Sequence, residues 1–265
     1  MKRILKIAFF IFLFIGTVFI LISANISTSK QVLTKPVIDL TVQDGISLLT
    51  ETELLDELRV KQLIKEGMSK ADVNLSEIEN YVRNMNEVLT ADVYMDLDTN
   101  WHIDVVTRRP VARVVTRGNK DFYIDNEFNL MKLSPYSKPR VLVFTGLESL
   151  LGTGFEYSKI INNDSLKTNL KLDQIYRISN YVCNDAFYDA QIVQVHYTKN
   201  DGFVLIPRVG DNKIIFGSAN SDEMVSNKFE KLTTFYDEVI PYEGWDKYES
   251  INLKFKGQIV AKKKN

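Results

Sequence analysis

The chain has 265 residues, 45% hydrophobic and 25% charged, which suits one large folded domain or two small ones. Twelve Gly and six Pro are too few for a collagen-like or low-complexity chain, and a formal net charge of −1 does not suggest nucleic acid as the main partner. That balance hides an asymmetry: Lys2, Arg3 and Lys6 sit at one end and Lys262, Lys263 and Lys264 at the other, and without these six the remaining 27 basic residues face 34 acidic ones.

The first predicted element is a membrane helix. Ile7 to Ile22 carries no charge and is almost wholly apolar. With Ile4, Leu5 and Lys6 it makes a helix of about 20 residues, roughly 30 Å long, which matches a bilayer's hydrocarbon core. The basic cluster precedes the span and 23–29 is uncharged. The positive-inside rule then puts 1–6 in the cytoplasm, a transmembrane anchor at 7–24 and the rest outside. A cleaved signal peptide is the alternative, because Ser23-Ala24-Asn25 offers small residues at a cleavage position. Residues 25–36 are polar, end at Pro36, and are expected to be a linker.

Ile38, Leu40 and Val42 alternate with Asp39 and Thr41, the pattern of a half-buried strand, and Asp44-Gly45 closes it. Thr50 with Glu53 is a capping box for a helix over 51–64 that Glu66-Gly67 ends. Its early acids, Glu51, Glu53, Asp56 and Glu57, suit the positive end of the helix dipole. Ser76 with Glu79 is a second capping box, for a short helix whose stripe is Ile78, Tyr81, Val82 and Met85. Strands at Val88–Leu97 and Trp101–Val106 flank a turn at Asp98-Thr99-Asn100. The order strand, helix, helix, strand, strand makes a three-stranded unit, with a boundary at Arg108-Arg109-Pro110 because Pro cannot donate in a ladder.

The remainder is mostly β. Strands are predicted at Val111–Thr116, Phe122–Asp125, Val141–Phe144, Gln191–Tyr197, Phe203–Pro207 and Lys213–Phe216, and a loop over 146–164. Helices are predicted over Leu166–Ala186 and Asp222–Val239, then a last strand from about Glu249 to Lys262. In that strand Ile251, Leu253 and Phe255 alternate with Asn252, Lys254 and Lys256, Gly257 breaks the pattern, and Gln258-Ile259-Val260 resumes it. A terminal strand at a sheet edge can accept a strand from another chain, and its lysines equally serve as guards against aggregation.

Little points to catalysis. His102 and His196 fall inside predicted strands and form no zinc spacing, and no nucleophile elbow, phosphate loop or dinucleotide fingerprint occurs. Cys183, the single cysteine, reads as a small core hydrophobe. Arg208 is expected to pair with an acid near a sheet end or to contact a partner. A carboxylate pair assembled from distant residues keeps a membrane-anchored envelope hydrolase open as an alternative.

Several strings in this order resemble the FtsQ/DivIB family, in the form found in Bacteroidota-like bacteria. Leu75-Ser76-Glu77-Ile78-Glu79, Ala91-Asp92-Val93-Tyr94 and Arg109-Pro110-Val111-Ala112-Arg113 resemble the second half of its POTRA domain and the exit from it. Phe122-Tyr123-Ile124-Asp125, Leu205-Ile206-Pro207-Arg208-Val209-Gly210, Gly244-Trp245, Ile251-Asn252-Leu253-Lys254 and Gln258-Ile259-Val260 resemble its β domain. Two turns, at Asp98-Thr99-Asn100 and after Asp125, lack the family's usual Gly.

The resemblance implies an α+β fold: an N-terminal single transmembrane helix, a POTRA-like α/β domain at 37–110, and a β-rich domain with flanking helices at 111–262. It implies a non-catalytic divisome protein of the bacterial inner membrane, its bulk in the periplasm at the division site. Such a protein binds FtsB- and FtsL-like partners, links them to septal peptidoglycan synthesis, and takes no cofactor, metal, nucleic acid or small-molecule substrate. The partner edge would comprise Leu253, Phe255, Gly257, Ile259 and Val260, with Tyr248 and Trp245 shaping the adjoining pocket. A scaffold of another envelope complex, for outer-membrane assembly or secretion, is a further alternative.

Overall fold

A computed structural model describes residues 9–20, 31–96, 100–116, 120–147, 160 and 163–264. The fold is α+β. The expected membrane helix does not survive. Residues 9–20 are helical and form the described part of helix α1. Among the described residues no helix is long and apolar enough to cross a membrane. The rest of the expected span, 7–8 and 21–24, lies outside the described residues.

The chain divides into two compact units. One runs to Gln43 and resumes over Leu49–Thr107; the other takes Asp44–Leu48 and continues from Arg108. In the first unit, β1 (Val37–Thr41), β2 (Val88–Met95) and β3 (Trp101–Thr107) form a sheet in the order β1-β3-β2, with β1 parallel and β2 antiparallel to β3. Trp101, Ile103 and Val105 alternate inward along β3, the period of two that a one-sided sheet demands. Helices α2 (Glu51–Val60) and α3 (Leu75–Arg83) bury Leu54, Leu58, Ile78 and Val82.

The Thr50–Glu53 capping box forms as expected. The second cap sits two residues earlier than expected: Asn74 accepts from the Glu77 N–H at 3.2 Å, and Asn is as good an N-cap as Ser. Glu79 is thereby freed to accept the Val93 N–H at 3.2 Å and to pair with Arg83 at 3.0 Å. Helix α2 stops short of the expected 64, because Gln62 adopts a left-handed φ of 60°. Leu63 N–H then reaches the Leu58 carbonyl and Gln62 N–H the Arg59 carbonyl, a Schellman motif without glycine. Within the expected linker, Leu33 N–H donates to the Met68 carbonyl and the Gln31 carbonyl accepts from Lys70, both at 2.9 Å.

The second unit holds a nine-stranded mixed sheet. Its strands are β4 (Pro110–Val114), β5 (Phe122–Asp125), β6 (Leu130–Lys132), β7 (Leu142–Thr145), β8 (Ile192–Thr198), β9 (Gly202–Pro207), β10 (Lys213–Gly217), β11 (Tyr248–Asn252) and β12 (Val260–Lys263). Their order is β12-β11-β10-β9-β8-β7-β4-β5-β6. Pro110 opens β4, where its missing donor costs least.

One row of side chains crosses this sheet in register: Phe122, Val114, Phe144, Val195, Leu205, Ile214, Ile251 and Ala261. All but Ala261 are buried, in one core with Ile175, Ile178, Val182, Val225, Phe229 and Leu232 from the helices. The helix expected at 166–186 is three: α4 (Asp164–Asn169), α5 (Leu172–Cys183) and α6 (Ala186–Gln191). Lys171, at φ 59°, breaks the first junction, and Asp185 caps α6 by accepting from Phe187 and Tyr188. Helix α7 (Asp222–Glu238) follows β10, and a short α8 (Ile240–Glu243) leads into β11. The loop expected at 146–164 lies mostly outside the described residues.

Strand β6, a short edge, was not anticipated. It follows a turn at Asp125–Asn129 in which Phe128, at φ 64°, takes the place glycine usually fills. Asp125 makes that possible. Its buried carboxylate accepts from the Glu127 N–H (3.0 Å), the Asn129 N–H (2.7 Å) and side chain (3.2 Å), and Arg108 (2.8 Å). Replacing Asp125 with Ala leaves these donors without their acceptor, so Asp125→Ala should cost about 3–5 kcal/mol in a urea unfolding titration.

Candidate functional site

Strands β11 and β12 and the reversal between them form the end of the large sheet. Strand β11 runs parallel to β10, and Leu253 extends the pairing by donating to the Ile215 carbonyl at 2.9 Å. The chain then reverses, and β12 returns antiparallel along β11. The single strand expected over 249–262 is therefore a hairpin. Local turn chemistry decides this: the Asn252 side chain accepts from the Lys254 N–H at 3.0 Å, and Gly257 takes a φ of 70°.

The expected edge residues separate into three groups. Phe255, Gly257, Ile259 and Val260 lie together on the reversal and the start of β12; Phe255 and Val260 are 44% and 46% exposed, and Ile259 rests on the core. Leu253 is wholly buried beneath them, as is most of Tyr248, whose ring meets Phe235 edge-on at 5.2 Å. Trp245 lies apart, packed against Tyr236 with ring centroids 5.1 Å apart. Gly257 supplies the positive φ of the turn, and no atom of the described chain lies within 4 Å of where a Cβ would sit.

Strand β12 ends the sheet. Lys264 N–H donates to the Lys247 carbonyl at 3.0 Å. Along a strand these groups alternate in direction, so Ala261 and Lys263 turn their N–H and C=O groups away from β11. The edge lysines pair locally, Lys262 with Glu249 at 2.6 Å and Lys263 with Glu243 at 3.1 Å. These contacts hold the exposed Glu249 carboxyl below its usual range and push the Lys263 ammonium up.

Helix α7 flanks the reversal, and the two enclose a groove of about 770 Å³ lined by Met224, Lys228, Lys231, Leu253, Phe255 and Gly257. Lys228 is buried. Its Nζ donates to the carbonyls of Phe216 at 2.8 Å and Ser218 at 2.6 Å and lies 4.9 Å from the Phe216 ring centroid. One turn on, Lys231 Nζ donates to the carbonyls of Leu253 at 3.1 Å and Phe255 at 2.8 Å. Burial, with the Lys231 charge adding to it, pushes Lys228 down to about 8, and burial also lowers Lys231. Sequence reasoning missed both, although a signal existed: Lys228 interrupts the Val225, Phe229, Leu232 stripe at a core position.

Other singled-out residues do structural work. Arg208 Nε donates to the Ala190 carbonyl at 2.7 Å. His102 stacks on Tyr94, His196 shares a 2.9 Å hydrogen bond with Thr145, and burial raises the Cys183 thiol.

Fold and edge together define a class: a two-unit α+β protein whose larger unit ends, among the described residues, on the sheet margin formed by β12. The chain belongs to the FtsQ/DivIB family; residues 109–262, more than half its length, match the family model described as FtsQ/DivIB, C-terminal related. Membership supports a role in cell division. No curated protein matches the chain.

The buried lysine has a measurable signature. Between about pH 8 and 10.5 the unfolded chain keeps the Lys228 proton and the folded chain does not, so stability rises with pH at up to about 1.4 kcal/mol per unit. Buried Tyr236, raised to about 12, acts oppositely above its ordinary value of 10.0. Urea titrations should find that the stability difference between wild type and Lys228→Met shifts toward wild type by about 2 kcal/mol from pH 8 to 9.5.

Proposed function

We propose that the protein works in division as a non-catalytic docking protein, and that β12 receives a strand from an FtsB-like partner. The observation carrying this is the outward row of N–H and C=O groups at Ala261 and Lys263, on the strand that closes the sheet order among the described residues. Such an edge gives a partner main-chain hydrogen bonds, and the side chains beside it give specificity. Here those side chains are Phe255, Ile259 and Val260, over a floor of Leu253 and Tyr248, while Trp245, packed on Tyr236, stands apart from them.

In this reading an FtsL-like protein joins through the same partner, and the assembly connects to septal peptidoglycan synthesis on the outer side of the cytoplasmic membrane. The domains would be a POTRA-like one at 37–110 and a β domain at 111–262. The three strands and two helices of the first unit, in the order strand, helix, helix, strand, strand, support the POTRA-like label.

Ala261→Pro tests the edge. It removes an outward donor and leaves the inward bonds of β12 to β11 in place. The variant should bind the extracytoplasmic segment of the organism's own FtsB-like protein at least tenfold more weakly. In cells depleted of the wild-type protein it should leave filaments without septa. Undiminished affinity would remove the strand-acceptor reading, and normal division after depletion would remove the divisome role.

A further inference from the structure

We infer that Lys231 is the positioning residue of the β12 edge: its ammonium ties the reversal to α7 and so fixes the place and register in which β12 is presented. The inference rests on the reading of β12 as the partner strand's acceptor and adds the element that holds that acceptor ready.

The ion pairs along the edge, Lys262 with Glu249 and Lys263 with Glu243, are solvent-exposed and restrain it little. Strand β12 is four residues long, and its pairing with β11 is interrupted by a register shift between Tyr248 and Ser250. Short edge pairings of this kind are marginal by themselves. The reversal is open around Gly257. Its departure from the sheet leaves the carbonyls of Leu253 and Phe255 beyond the last β10–β11 pair, Ile215 with Asn252. Lys231 Nζ takes both, at 3.1 and 2.8 Å. These are charge-assisted bonds, stronger than neutral ones, and they bracket Lys254, whose own Nζ pairs with Asp201 at 3.0 Å.

The arrangement is doubled. Lys228, three residues earlier on the same helix, takes the carbonyls of Phe216 and Ser218 at the end of β10. Two ammoniums of α7 therefore hold the ends of two neighbouring parallel strands. Lys228 secures core chain, since Phe216 is wholly buried. Lys231 secures the chain that leads to the exposed margin, where Phe255 is open to solvent. The ammoniums lie close enough for the Lys231 charge to disfavour that of Lys228, yet each has two carbonyls facing it. A hydrophobic side chain at 231 would leave those carbonyls without their donor, while arginine's longer fork can reach both.

The test uses the full-length chain with three substitutions: Lys231→Met, Lys231→Arg and Ala261→Pro. Hydrogen exchange of the inward-facing Lys262 and Lys264 amides, with no partner present, reports whether β12 is held. Affinity for the extracytoplasmic segment of the FtsB-like protein reports whether it is presented. Lys231→Met should speed exchange at both amides at least tenfold and weaken binding about tenfold, with the melting temperature within about 3 °C of wild type. Lys231→Arg should restore most of both. Wild-type exchange in Lys231→Met, or a loss that arginine does not rescue, would overturn the positioning role. So would wild-type affinity in Lys231→Met while Ala261→Pro binds weakly. Failure of the strand-acceptor reading is separate: it shows as full affinity in Ala261→Pro, whatever the exchange rates.

Discussion

The second unit depends on the row that runs from Phe122 across seven further strands to Ala261. Because successive side chains on a strand face opposite sides, one shared row fixes the register of every strand it crosses. The helices α5 and α7 cover that row, so a slip of one residue anywhere would turn core side chains to solvent. The row ends on a small residue, half-buried Ala261, with no strand beyond it among the described residues. The burial that builds the core thus also sets which backbone groups of β12 look outward. The same register that places the Ala261 methyl over the core turns its N–H away from β11.

Polar groups serve this apolar frame by closing what the strands leave open. Asp125 gathers the donors of a turn that has no glycine, Lys228 closes the carbonyl end of β10, and Lys231 does the same past β11. Burying an ammonium costs free energy, as the lowering of Lys228 shows, and its two carbonyl bonds and the Phe216 face offset part of that cost. The charges that remain at the margin, Lys262 and Lys263, are held by acids of the same chain. Exposed pairs of this kind contribute little stability, so a partner's acids could exchange for them at small cost.

Much of this was legible in the sequence. Strands with clean alternation or compact apolar runs, such as Phe203–Pro207 and Lys213–Phe216, and the long helix at 222–239 match the structure to within a residue or so. Boundaries moved where a non-glycine residue took a left-handed conformation. Gln62 shortened α2, Lys171 split a helix, and Phe128 made a turn, and none of these residue types advertises that choice. At the candidate site the aromatic and aliphatic residues were visible. The hairpin was not, because period-two alternation continues through Leu253 and Phe255 even though the chain has begun to turn. The lysine ties escaped for another reason: which carbonyls they meet is set by distant elements. The membrane helix was read from one apolar run and its basic flank, and among the described residues no helix is long and apolar enough to cross a membrane.

The most direct measurement is backbone amide exchange of β12, residue by residue, in the free protein and with the extracytoplasmic segment of the FtsB-like partner bound. The account predicts that Lys262 and Lys264 are protected in both states, while Ala261 and Lys263 exchange freely alone and become protected on binding. If the partner binds and the Ala261 and Lys263 amides still exchange as freely as before, the edge is not where it docks.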